Sequence, residues 1–137
     1  MWAVYALLGA VFAAATSILA KVGLDGINSN LGTAVRTAVV LVMAWGIVFA
    51  TGVQKGITGI SSRSWLFLVL SGIATGASWL FFFRALQMGP AAKVVPIDKF
   101  SMAITMLMAF VFLGEAVDEK TVIGGVLITA GTLVLVL

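Results

Sequence analysis

Four charged side chains interrupt otherwise apolar stretches of this sequence: Arg36, Arg84, Asp98 and Lys99. Charges in such stretches usually face a protein interior or a water-filled cavity, where they bind a polar substrate or an ion. The adjacent pair Asp98 and Lys99 is the most informative, because Pro96 precedes it. A proline inside a helix removes one backbone hydrogen bond, and the backbone groups freed by such breaks hold ligands in many transporters.

The position of Asp98 in its helix depends on where that helix begins. If it begins at Pro90, Asp98 lies about 12 Å along it, too deep for a short side chain to reach the lipid headgroups. A polar face then contains Asp98, Ser101, Met102 and Thr105, at spacings of three and four residues. If it begins at Pro96, Asp98 is a first-turn carboxylate beside the helix dipole. The sequence leaves both alternatives open.

Three further basic residues and an aromatic run are secondary candidates for substrate binding. Arg36 and Arg84 lie near helix ends, where long side chains reach the headgroups, and we favour that interpretation for both. Lys21 is expected at the membrane interface. Trp79 and residues 81–83 are suited to line an aromatic pocket, although aromatic side chains more commonly face lipid.

The residues of most enzyme and metal sites are absent. The sequence contains no cysteine and no histidine, which excludes disulfides, thiolate and imidazole metal ligands and the usual general base. No nucleophile and base stand at a sensible spacing. We therefore expect no enzyme, no metal and no cofactor. The eight basic and five acidic residues are thinly scattered, so we expect no nucleic-acid partner.

The composition indicates a protein that lies in a lipid bilayer. Of its 137 residues, 62% are hydrophobic and only 9% are charged, and the mean hydropathy is +1.21. Soluble domains carry about a quarter charged residues, which they need to cover their surface. Lipid is a solvent for the apolar surface of this chain. We predict an all-α integral membrane protein.

Five stretches are long enough to span the membrane, since about 20 apolar residues cross the hydrocarbon core. The predicted helices cover residues 2–20, 31–53, 64–88, 90–113 and 121–137. Gly89 and Pro90 separate the third helix from the fourth. The first stretch lacks a basic leading region and is expected to be a retained helix. Residues 1–137 are thus predicted to be one transmembrane domain, with no room for a soluble one.

The basic residues of the loops are almost balanced between the two membrane faces. With five spans, Lys55, Arg63 and Lys120 lie on one face, and Lys21 and Lys93 lie on the other. The positive-inside rule therefore orients the chain weakly. This weak bias permits insertion in both orientations, but a few charges are also able to fix one orientation.

The last predicted helix contains small residues that let helix backbones approach each other closely: Gly124, Gly125 and Gly131. They predict helix packing, in the same chain or with another, and not chemistry.

Several motifs occur in a characteristic order along the chain. The first helix ends in Ile-Leu-Ala-Lys at residues 18–21, and Ala-Leu-Gln-Met-Gly-Pro-Ala occupies residues 85–91. Val-Pro at 95–96 lies early in the fourth helix, Leu-Gly-Glu at 113–115 stands at its end, and the glycine-rich fifth helix follows. In this order and spacing, the sequence resembles the EamA family of the drug/metabolite transporter superfamily over essentially the whole chain.

The resemblance implies an architecture. Family members usually contain two five-helix repeats, inverted relative to each other (5+5), around a central cavity, and this chain resembles one repeat. It implies an antiparallel, dual-topology homodimer, or a heterodimer with a similar short chain. The implied function is a secondary transporter of a small metabolite that works by alternating access, in the plasma (inner) membrane of a prokaryote.

One departure from related proteins bears on the substrate. The small multidrug resistance proteins use a glutamate in the first helix to couple protons to cationic drugs, whereas residues 8–20 here contain no acid. The basic residues suit an anionic or zwitterionic metabolite better. The expected substrate-binding residues are Lys21, Arg36, Trp79, Arg84, Asp98, Lys99 and Ser101, with Pro96 as the helix break.

Two other functions remain open at this point. The first is a membrane scaffold or regulatory subunit of a hetero-oligomer that does not itself transport anything. The second is movement of a lipid-linked precursor, which needs the same fold and differs only in its substrate.

Overall fold

The computed structural model describes residues 1–137, all of which belong to helices or to the short turns between them. Five helical stretches are long and apolar enough to cross a membrane: Trp2–Gly23, Ser29–Thr51, Ser62–Met88, Ala91–Leu113 and Glu119–Val136. No strand is present. The prediction of an all-α protein with five membrane-spanning helices is confirmed.

The first three spans are continuous helices, and the fourth is divided. We name them α1 (Trp2–Gly23), α2 (Ser29–Thr51), α3 (Ser62–Met88), α4 (Ala91–Asp98), α5 (Phe100–Met108) and α6 (Glu119–Val136). Asn28 caps the start of α2, where its side chain accepts a hydrogen bond from the Asn30 N–H at 2.9 Å. Gly52 ends α2 in the left-handed conformation with φ 73°, which glycine adopts without steric cost.

The fourth span begins directly after Pro90, which is the first of the two alternatives for Asp98. The interruption, however, falls at Lys99 and not at Pro96. Pro96 lies inside α4, where it removes one N–H from the hydrogen-bond ladder and crowds the Ala92 carbonyl one turn earlier. The turn tightens at Lys99, whose N–H donates to the carbonyls of Pro96 at 3.1 Å and Val95 at 3.3 Å. A π-helical turn, Ala109–Leu113, completes the span.

The chain forms two compact units, residues Leu19–Gln87 and residues Met1–Ile18 with Met88–Leu137. The first unit has a small core, built where the end of α1, the start of α2 and the end of α3 contribute side chains. Leu24, Phe83 and Leu86 are 3%, 1% and 0% exposed there. Two polar residues of α2, Ser29 and Thr33, are buried with them.

In the second unit, α4 and α5 pack against α6. The Thr132 hydroxyl lies 3.3 Å from the Pro96 carbonyl and 2.9 Å from the Ile128 carbonyl, so α6 braces the proline-containing turn of α4. Gly125 lies against α5, since a Cβ there would be 3.1 Å from the Met106 sulfur. Gly124 and Gly131 have no such neighbour within the chain.

Gly32 of α2 permits the packing of Leu24, because a Cβ at Gly32 would overlap the end of the Leu24 side chain. We expect Gly32→Leu to lower the free energy of unfolding by about 1–3 kcal/mol, since Leu24 is buried and has little room to move. Unfolding by SDS in mixed micelles measures the change. Gly46→Leu is the control, because open space surrounds Gly46 on the same helix. Equal stability of the two variants would contradict this packing.

Candidate functional site

Arg36 of α2 lies against two aromatic rings of α3. Its guanidinium carbon is 4.2 Å from the centroid of the Phe83 ring and 5.2 Å from that of the Trp79 ring. Trp79 and Phe83 are four residues apart and therefore share one face of α3. Both rings attract the cation through their negative faces. The sequence favoured a side chain that reaches the headgroups, whereas the structure gives it this aromatic environment.

The Arg36 guanidinium has unused hydrogen-bond capacity. Its Nη1 atom is buried and has no hydrogen-bond acceptor. The structure shows no ion pair between Arg36 and a carboxylate; the pair that it does show joins Lys99 and Asp98. A buried donor without a partner is uncommon in proteins and calls for a physical explanation. The rest of the Arg36 side chain is only half-buried, so the missing acceptor concerns this one nitrogen.

The aromatic run 81–83 divides between three directions, as consecutive residues of a helix must. Phe83 is in the core, Phe82 contacts it edge-to-face at 5.2 Å between ring centroids, and Phe81 is 79% exposed. The sequence grouped all three with Trp79 as one pocket wall. The structure brings only Trp79 and Phe83 to Arg36.

Lys21 lies at the end of α3. Its Nζ donates to the Leu86 carbonyl at 2.6 Å, within the last turn of that helix. The final carbonyls of a helix have no partner in the helix itself and carry its negative dipole, so a lysine there is favourable. This contact gives Lys21 a structural part in joining α1 to α3.

Gln87 ties the same helix end to the loop between α1 and α2. Its Nε2 donates to the Leu24 carbonyl at 2.9 Å and also to the Ile27 carbonyl. Its Oε1 accepts a hydrogen bond from the Arg84 guanidinium at 3.3 Å, which places Arg84 beside this junction. Gln87 is not among the residues predicted from the sequence to bind substrate. A lone amide in the last turn of an apolar helix was the available signal.

A recess of about 380 Å³ opens at this junction. Its polar lining comes from Lys21, Asp25 and Gln87, and its apolar lining comes from Val22 and Leu24. Two opposite charges and an amide give this end of the unit a mixed polar surface. Arg36 is absent from the lining, so the recess and the aromatic site of Arg36 are separate features.

The polar residues of the fourth span are open on the surface of their own unit. The Lys99 ammonium lies 3.6 Å from the Asp98 carboxylate, and their side chains are 47% and 34% exposed. Ser101, Met102 and Thr105 are also exposed. Asp98 lies eight residues beyond Pro90, about 12 Å along the span. These residues form a polar stripe that its own unit covers only in part.

Comparison with known proteins gives one consistent result. Residues 1–137 match the EamA-like transporter family. A protein of Sinorhizobium sp, named "Uncharacterized transporter in cobO 3'region", is 48% identical over 134 residues, which cover 98% of this chain and 95% of that protein. That relative is therefore a similarly short chain. No solved structure matches at a significant level.

Removal of the Lys21 amine should weaken the contact between α1 and α3. We expect Lys21→Met to lower the free energy of unfolding by about 1–3 kcal/mol, because the Leu86 carbonyl loses a charged donor while the apolar part of the side chain is kept. The midpoint of thermal unfolding in detergent micelles reports the change. Lys55→Met, on an exposed segment, is the matched control. A Lys21 variant as stable as the Lys55 variant would remove this structural role.

Proposed function

Because this chain belongs to the EamA-like transporter family, we propose that it is a secondary transporter that moves a small metabolite by alternating access. Its location is the plasma (inner) membrane of a prokaryote. One observation carries the proposal: the fourth span contains Pro96 and tightens at Lys99, whose N–H donates to both the Val95 and the Pro96 carbonyls, and Asp98, Lys99 and Ser101 place polar groups at this point of the span. Irregular helical stretches hold substrates and coupling ions in secondary transporters, because such a stretch faces a cavity and not lipid.

The polar stripe of the fourth span needs a cover. Asp98, Lys99 and Ser101 are exposed to different degrees in a single copy. Hydrocarbon cannot solvate a carboxylate or an ammonium, so another protein surface or a water-filled cavity must adjoin them. A second copy supplies both, with the substrate site between the two copies.

The second copy is inverted relative to the first. An odd number of spans places the two ends of the chain on opposite sides of the membrane, and the nearly balanced basic loops permit both orientations. The similarly short length of the Sinorhizobium relative supports assembly from short chains. A heterodimer with another short chain of this kind satisfies the same geometry.

Each candidate residue then has a distinct role. Asp98 and Lys99 make polar contacts with the substrate or a coupling ion, and Ser101 extends that surface. Trp79 forms an aromatic wall. The basic side chains of Lys21, Arg36 and Arg84 give the unit Leu19–Gln87 an electropositive character that favours anionic or zwitterionic molecules.

Loss of the Asp98 charge should impair transport. We expect Asp98→Asn to lower counterflow of a radiolabelled extract of small bacterial metabolites into proteoliposomes by about tenfold or more, since a charged contact in the site is lost. The rate is normalised to folded protein in the membrane. Glu115→Gln, in the exposed turn after the fourth span, is the control.

Two other outcomes would contradict parts of this proposal. Unchanged flux in the Asp98 variant would remove Asp98 from the mechanism. No flux from any form of the protein, together with a stable complex with another membrane protein, would favour a scaffold or regulatory subunit instead.

The inverted pair predicts a labelling pattern. Lys55→Cys and Lys93→Cys, introduced separately into this cysteine-free chain, lie on opposite membrane faces. With an impermeant maleimide added from outside, we expect each position to be labelled in about half of the molecules, because both orientations are present in the antiparallel homodimer. Complete labelling of one position and none of the other would contradict dual topology.

A further inference from the structure

The unit Leu19–Gln87 isolates one positive charge. It contains five basic residues and one acidic residue, Asp25. Asp25 is not paired with Arg36, and no other acceptor reaches the buried Nη1 atom. The only contacts that favour the Arg36 cation are the faces of Phe83 and Trp79.

Cation–π contacts leave the hydrogen-bond donors of a guanidinium unused. The guanidinium carbon lies over both rings, and a ring face offers no oxygen or nitrogen acceptor to the N–H groups. The planar set of N–H donors matches two oxygens on one carbon, the geometry of a carboxylate. The aromatic contacts therefore attract the cation without supplying the acceptors that a carboxylate would supply.

We infer that Arg36 binds the carboxylate of a small organic monoanion, and that such monoanions are the substrate class of this protein. That these monoanions are transported rests on the proposed function, whereas the binding site itself depends only on Arg36 and its two rings. Binding supplies an acceptor for the buried Nη1 atom and a countercharge for the guanidinium.

The charge balance of the site favours a single negative charge. Lys21 donates to the Leu86 carbonyl, and Arg84 donates to the Gln87 side chain. The single charge of the Arg36 guanidinium balances a monoanion, whereas a dianion such as phosphate needs a second cation in contact with it. Apolar rings around the charge also favour anions that lose little hydration on binding, and these include carboxylates with an organic body.

A free carboxylate and an anionic lipid headgroup both present oxygens that suit Arg36, so the experiment has to distinguish them. An anionic headgroup presents phosphate oxygens with similar chemistry, and Arg36 lies only about 10 Å along its helix. The experiment therefore compares nanodiscs of phosphatidylcholine alone with nanodiscs that also contain phosphatidylglycerol.

The test measures thermal unfolding of the full chain in nanodiscs with three carboxylates and their amides. The probes are acetate, butyrate and benzoate, each against acetamide, butyramide or benzamide of nearly the same shape. We expect at least one carboxylate to raise the unfolding midpoint while its amide does not. Phenylphosphonate at pH 9, a dianion, should be weaker than benzoate.

Variants then assign the effect to Arg36. Arg36→Gln should weaken carboxylate binding about ten- to hundred-fold, as expected for loss of a charged hydrogen-bond partner. Arg36→Lys keeps the charge but loses the planar set of N–H donors, so its affinity for the carboxylate should lie between those of the unaltered protein and Arg36→Gln. Arg63→Gln is the matched control, because Arg63 lies over the Phe67 ring at 5.8 Å on an exposed face of α3. It should bind as the unaltered protein does.

Several results would overturn the inference. These are equal responses to every carboxylate and its amide, full binding by Arg36→Gln, or an Arg36-dependent stabilisation by phosphatidylglycerol that abolishes the carboxylate response. The comparison of carboxylates with amides needs no variant, so it decides the matter even if Arg36→Gln does not fold. Counterflow without carboxylate binding would overturn this inference alone, and carboxylate binding without counterflow would overturn the transport proposal alone.

Discussion

Hydrocarbon cannot form hydrogen bonds, so each polar group within a span must find its partner in protein or in trapped water. Hydroxyl groups of the spans meet this constraint locally. Ser17 donates to the Ala13 carbonyl at 3.0 Å, and Thr33 donates to the Ser29 carbonyl at 2.8 Å, one turn earlier in each helix. Such residues are compatible with lipid and need no functional explanation.

Polar groups at two places in the chain do not meet this constraint within their own helices, and the two proposals rest on them. The Nη1 atom of Arg36 is buried without an acceptor. Asp98 and Lys99 are charged, lie well inside a span and remain partly exposed, with only each other as ionic partners. A ligand supplies what the first place lacks, and an enclosed polar cavity supplies what the second lacks. The need of polar groups in hydrocarbon for partners therefore governs both the fold and the proposed function.

The spans themselves were predictable from the sequence, because length and hydropathy determine them almost alone. For the fourth span the sequence left two starts open, at Pro90 and at Pro96, and the structure has the first of them. The span is irregular at Lys99, three residues beyond Pro96. The polar contacts of Lys21 and Gln87 were not predictable, since each joins residues more than 60 positions apart. The partner of the polar stripe stays a prediction, because the unit that carries the stripe does not supply one.

The central claim is that the polar stretch of the fourth span is sheltered from lipid although it lies deep in the membrane. A nitroxide at Ser101→Cys, near the middle of the span Ala91–Leu113, measures this directly through its collisions with a water-soluble nickel chelate and with oxygen. The account predicts frequent collisions with the chelate and few with oxygen, as in a water-filled cavity. Frequent oxygen collisions with no access for the chelate would show a side chain in lipid and contradict it.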